Sequence, residues 1–184
     1  VAHYNVVSVI RTVDHSVVAT VVIDRGNCRG VVLSPDGKLA YVANADRDSV
    51  SVIRTTDHTV VTEVAVGIQP EGMAISPDGK RVYVTHQDGV SVIRTADQTV
   101  VATVLIDQGN CHGIALSPDG ARAYVASSDL DSVSVINTTN YLVMDTIAVG
   151  RTPTSVALTP NGAFVYVTNW GSNNISVIRT LDHA

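Results

Sequence analysis

A single phrase, written four times, limits the fold of this chain more than any other feature. "SPDGKLAYVAN" at residues 34–44 returns as "SPDGKRVYVTH" from Ser76, "SPDGARAYVAS" from Ser117 and "TPNGAFVYVTN" from Thr159. The turn proline falls at 35, 77, 118 and 160, and the tyrosine that follows it at 41, 83, 124 and 166. An independent anchor, Ser-Val-Ile, starts at 8, 51, 91, 134 and 176. Three anchors that share one period of some forty residues define a structural repeat.

Each repeat reads as four short strands. In the second unit these are "EGMAIS", "KRVYVTH", "GVSVIRT" and "TVVATVLI". No unit carries a helical period. The runs are apolar along their whole length, as in strands covered on both faces. Val supplies 34 of the 184 residues, and β-branched side chains suit such surfaces. Pro35 presets the first turn angle. Gly37 takes the left-handed angle that would cost another residue roughly 1–2 kcal/mol. The "RTxD" segments at Arg11, Arg54, Arg94 and Arg179 predict a second hairpin turn, with Asp14, Asp57, Asp97 and Asp182 bonding local backbone. His15, His58 and His183 recur beside it, which marks turn surface rather than catalysis.

Four-stranded antiparallel units at this period predict an all-β fold, a β-propeller of about four blade-equivalents. The phrase "SPDGKRVYVT", followed by "SVIRT" and "TVVATV", resembles the YVTN-repeat propeller family across essentially the whole chain. That family is similar to surface-layer-type proteins and has lactonase-like relatives. The resemblance implies a propeller. It also implies an exported location, whether extracellular, cell-surface or periplasmic. The motif speaks to architecture and not to an activity.

The chain reads as one propeller domain, 1–184, or part of one. Its units lie near 28–69, 70–110, 111–152 and 153–184, and 1–27 supplies strands to a neighbouring or closing blade. Three closures fit this count: part of a seven- or eight-bladed protein, a homodimer closing an eight-bladed ring, or a single four-bladed ring. In the last, Cys28 and Cys111 face one another across the axis, and a disulfide forms only if their Cα atoms come within about 7 Å. Otherwise they are free, buried thiols.

Composition removes several functions. Net charge is −5 and no basic run exists, so no nucleic-acid footprint is expected. No apolar run approaches the roughly 20 residues of a membrane span. The chain opens on Val1 without Met, which leaves room for a leader removed or lying upstream. No cofactor motif, P-loop or nucleophile–base–acid set appears.

Function belongs where the copies disagree. The inter-blade loops alternate between "IDRGNCRG" and "IDQGNCHG" and the shorter "VGIQPEG" and "VGRTPTS". Aligned, they place Arg29, Glu71, His112 and Thr154 at one equivalent position, ringing the mouth of a central channel. A cation, a carboxylate, an imidazole and a hydroxyl there suit a small polar ligand or a proton-transfer step. Free drift at a solvated rim is the competing reading. His86 replaces the strand-closing Asn44 and Asn169 beside a shortened loop, "HQDG". Trp170 is the only tryptophan, placed to stack on a sugar, anchor a partner or cap a sheet. Asp46 with Asp48, and Asp129 with Asp131, are weak candidates for a metal, since two carboxylates fall short of the six or more oxygens of a Ca²⁺ site. On sequence alone the expected function is non-enzymatic: a propeller presenting loops to a protein or carbohydrate partner. A lactonase-like or other hydrolytic enzyme working at the channel mouth is the alternative.

Overall fold

The computed structural model describes residues 1–24, 26–106 and 109–182. His183 of the recurrent turn lies outside these, as do Arg25, Asp107 and Gln108 of the two longer inter-blade loops. The strands fall into five antiparallel sheets, each a meander in chain order. Blade one holds β1 (Ala2–His3), β2 (Val6–Ile10) and β3 (Val17–Val22). Blade two holds β4 (Cys28–Leu33), β5 (Leu39–Asn44), β6 (Ser49–Arg54) and β7 (Thr59–Ala65). Blade three holds β8 (Met73–Ile75), β9 (Arg81–His86), β10 (Gly89–Arg94) and β11 (Thr99–Leu105). Blade four holds β12 (Cys111–Leu116), β13 (Arg122–Ser127), β14 (Ser132–Asn137) and β15 (Val143–Ala148). Blade five holds β16 (Pro153–Leu158), β17 (Phe164–Asn169) and β18 (Asn174–Arg179).

The segment before residue 28 builds a three-stranded sheet of its own, so three four-stranded blades stand between two three-stranded ones, in keeping with about four blade-equivalents. Among the described residues, blade one has no innermost strand and blade five no outermost one. Cys28 and Cys111 are buried and free, and burial pushes the Cys111 thiol up to about 11.

The repeated phrase forms the inner hairpin of each blade. In its turn Ser34 Oγ donates to Asp36 Oδ1 at 2.6 Å, and the same carboxylate oxygen accepts from Lys38 N at 3.1 Å. Gly37 sits at φ 70. The turn also locks to its surroundings. Thr55, Thr95, Thr138 and Thr180 each donate a hydroxyl to the turn-glycine carbonyl of their own blade, at 2.6–2.7 Å. The turn glycine of each following blade sits against the preceding blade's proline, Gly79 on Pro35, Gly120 on Pro77 and Gly162 on Pro118. The outer hairpins of blades one to three close with the expected Arg–Asp pairs, such as Arg54–Asp57 at 2.8 Å, and in blade four Asn137 accepts from Thr139 N instead. Each carries a register shift before its Ser-Val-Ile isoleucine, which adds local twist.

Blades pack by one rule. The tyrosine face of a blade (Tyr41, Val50, Val52 and Val64 in blade two) meets the valine–isoleucine face of the next, Val82, Val84 and Ile93. The same pairing joins blades three and four, and four and five, and blade one meets blade two through Val7, Val21 and Ile23 without a tyrosine. Each fully buried valine or isoleucine contributes on the order of 1.5–3 kcal/mol. The first strands of successive blades touch one another, β4 with β8, β8 with β12 and β12 with β16, which lines them along a common axis.

Candidate functional site

The rim begins with a defect in the sheet. The β4–β5 ladder loses register between Cys28 and Val31, the β12–β13 ladder between Cys111 and Ile114, and the β16–β17 ladder between Pro153 and Ser155. Arg29, His112 and Thr154 lie inside those breaks, and Glu71 lies just before β8. A bulged strand re-aims its side chains.

Glycines then bring the breaks together. A Cβ on Gly30 would overlap the Glu71 carbonyl, and one on Gly72 would overlap the His112 carbonyl. One on Gly113 would lie 2.7 Å from Ser155 Cα. Without side chains at these positions, the backbone after each rim residue lies against the rim of the next blade. These glycines were not singled out from the sequence. The pattern Arg-Gly, Glu-Gly, His-Gly at one place in three units was the available signal.

The result joins three blades. Arg29 Nη1 donates to Glu71 Oε2 at 3.1 Å, and His112 Nδ1 donates to Glu71 Oε1 at 2.9 Å. All three side chains remain partly open to solvent. The hydrogen bond from His112, helped by its charge and that of Arg29, holds the Glu71 carboxyl below the usual range against the opposing effect of burial. The same bond to Glu71 raises the His112 imidazole above its ordinary value, again against burial. With Nδ1 committed to Glu71, the neutral ring presents Nε2 as a base.

The other candidates are placed differently. Thr154 bonds Thr168 instead of His112, Oγ to Oγ at 3.2 Å. It lines a shallow cavity of about 290 Å³ with Asn169, Trp170 and Ile175. Trp170 is 76% exposed in the short 3-10 turn Trp170–Ser172, so it does not cover a sheet end. His86 is buried beneath Gly67, where a Cβ would overlap its ring, and burial pushes its imidazole down. Its neighbours hold the loop that carries Glu71: Gln87 N donates to Ile68 O, and Glu71 N donates to Thr85 O, both at 2.9 Å.

The paired loop acids divide their work. Asp48 Oδ1 accepts from Gln69 N at 2.8 Å, and Asp131 Oδ1 accepts from Thr152 N at 2.7 Å. Asp129 Oδ1 accepts from Ser128 Oγ at 3.0 Å, and Asp46 borders an open hollow with Tyr4, Asp24 and Arg47. Of the four, Asp48 and Asp131 pin loop backbone, and Asp129 bonds a neighbouring side chain. Among the described residues no group of three or more His, Cys, Asp or Glu is placed to hold a metal ion. No helix among them is long and apolar enough to cross a membrane.

Comparison with known proteins agrees with the architecture. No curated protein matches the chain. Among 1357 solved chains that do, Kuenenia stuttgartiensis hydrazine synthase is similar over 96% of this chain and 90% of that one. Its TM-score is 0.54 at 18% identity, a likeness of fold alone. The family model described as "Lactonase, 7-bladed beta-propeller" matches residues 6–103, a stretch that includes Arg29 and Glu71 and stops short of His112. That match takes in more than half of the sequence, and by it the chain belongs to the lactonase, seven-bladed β-propeller family.

Proposed function

We propose that this propeller hydrolyses cyclic esters at the rim, with His112 as general base, Glu71 as its orienting partner and Arg29 as the group that meets developing negative charge. The observation that carries this reading is the Arg29–Glu71–His112 chain, closed by contacts of 3.1 and 2.9 Å across three blades. Water bound at His112 Nε2 gives up a proton as its oxygen bonds the ester carbonyl carbon. The carbonyl oxygen gathers charge beside Arg29. Collapse of that intermediate breaks the ring C–O bond, and His112 returns the proton to the departing alkoxide, leaving a hydroxy acid. The family relationship supports an ester of this kind.

A pH-stat assay on a panel of small neutral and acidic lactones tests it. Replacing the base removes a contribution of about 10²–10⁴-fold, so His112→Ala loses turnover on that scale. The acting form is neutral His112, so the rate climbs with pH through an imidazole value above the ordinary one. Glu71→Gln moves that limb to lower pH. Unchanged turnover in Arg29→Ala, Glu71→Ala and His112→Ala would end the proposal.

The exposed Trp170, beside the Thr154 cavity, favours a second reading. In it the propeller is non-enzymatic and presents this face to a carbohydrate or protein partner. Quenching of the single tryptophan by oligosaccharides, with affinity lost in Trp170→Ala, is its expected mark. A silent tryptophan across a glycan panel counts against the carbohydrate form of this reading.

A further inference from the structure

A buried hydroxyl on β9 lies between the backbone segments that carry Glu71 and His112. Thr85 is the penultimate residue of β9 and is fully buried. Its Oγ1 donates to the His112 carbonyl at 2.5 Å and accepts from Gly72 N at 2.8 Å. Its backbone completes the clasp: Glu71 N donates to Thr85 O, and Thr85 N donates to Gly72 O, each at 2.9 Å. One residue thus holds the backbone on both sides of the Glu71–Gly72 peptide and the carbonyl of His112 itself. Blades two and four carry Ala43 and Ala126 at this place, so the propeller does not need the hydroxyl to fold a blade.

We propose that Thr85 is the positioning residue of the rim. Its hydroxyl ties the Glu71 segment of blade three to the His112 segment of blade four, and so fixes the carboxylate–imidazole contact. This deepens the hydrolase reading, on which its activity arm rests. Its structural arm stands without that reading. A threonine that only filled space would be replaced by valine, which keeps the branched shape, without effect on His112.

The experiment follows the His112 ring proton by NMR through a pH titration of the whole chain, in wild type, Thr85→Val, Thr85→Ala, Thr85→Ser and Glu71→Gln. The His112 midpoint in Thr85→Val and Thr85→Ala is expected to fall most of the way to that of Glu71→Gln. Thr85→Ser keeps the wild-type value. In the lactone assay kcat falls roughly tenfold or more with KM little changed, the signature of a misplaced group and not of lost binding. If wild type opens no lactone, the hydrolase reading fails and the titration alone judges Thr85. Folded Thr85→Val and Thr85→Ala proteins that titrate like wild type overturn the proposal. If the valine variant does not fold, Thr85→Ala decides. If neither folds, the hydroxyl supports the fold as a whole, and the positioning role is likewise overturned.

Discussion

Tyr124 in blade four and Tyr166 in blade five hold the same place in the same phrase, yet the first is 1% exposed and the second 46%. Tyr41 and Tyr83 are as buried as Tyr124. The strands around them differ in the same way. β13 and β14 are buried along nearly their whole length, whereas β17 alternates between buried and exposed. Blade five still packs its Val165, Val167 and Ile178 onto blade four. Its tyrosine face, with Ile175 and Val177, is exposed among the described residues. A phrase that makes a two-sided strand in one blade makes a one-sided strand in another. The second face of a blade is stabilised by its neighbour and not by its own letters.

Truncating the two tyrosines gives the largest contrast. Tyr124→Ala should cost about 3–5 kcal/mol in urea unfolding, as large core truncations do. Tyr166→Ala should cost less than about 1 kcal/mol. Equal losses would mean that the uncovered face is filled in solution. The next contrast lies at the rim. Gly72→Ala drives a methyl into the His112 carbonyl and should cost about 1–3 kcal/mol, with loss of the raised His112 titration. Blade five already carries a side chain at the equivalent place, and Ser155→Ala should be nearly neutral.

A smaller, pH-dependent effect separates Glu71 from Thr154. The Glu71 contribution is present above the ordinary carboxylate value of 4.5 and is lost as pH falls through its lowered folded value. The His112 contribution is present below the ordinary imidazole value of 6.5 and is lost as pH rises through its raised folded value. The stability gap between wild type and Glu71→Gln should therefore peak between 4.5 and 6.5 and narrow on either side. Thr154→Ala should show no such window. Smallest is the turn. Blade four uses Asp119 where blade five uses Asn161, and both accept from the backbone two residues on. Asp119→Asn and Asn161→Asp should each change stability by less than about 0.5 kcal/mol, with the sign of the charge effect fading in salt.

Much of the fold was legible because its signals are local. Pro35, Asp36 and Gly37 predict their turn, and the apolar runs predict covered strands; both appear. The equivalence of Arg29, Glu71 and His112 followed from aligning loops, and the structure does bring those three together. Thr154 fits the same alignment but turns to Thr168. Its place in a register break is shared, but its short side chain reaches a strand neighbour before it reaches the next blade. Thr85 was passed over because a threonine in a valine-rich strand looks like one more β-branched residue. Only the approach of Gly72 and the His112 carbonyl gives its hydroxyl a purpose. Asp48 and Asp131 looked like paired acids because their partners, the amides of Gln69 and Thr152, lie 21 residues away.

By itself the sequence determined the unit: four strands and two turn chemistries, each written in a few neighbouring residues, and the period of some forty residues that repeats them. The tertiary structure decided how many blades the first residues make, which tyrosine is covered, and that a cation, a carboxylate and an imidazole from three blades share one contact. Turn angles and strand faces come from neighbouring residues along the chain. Burial and ion pairing depend on groups some forty residues apart, whose approach is set by missing side chains at Gly30, Gly72 and Gly113.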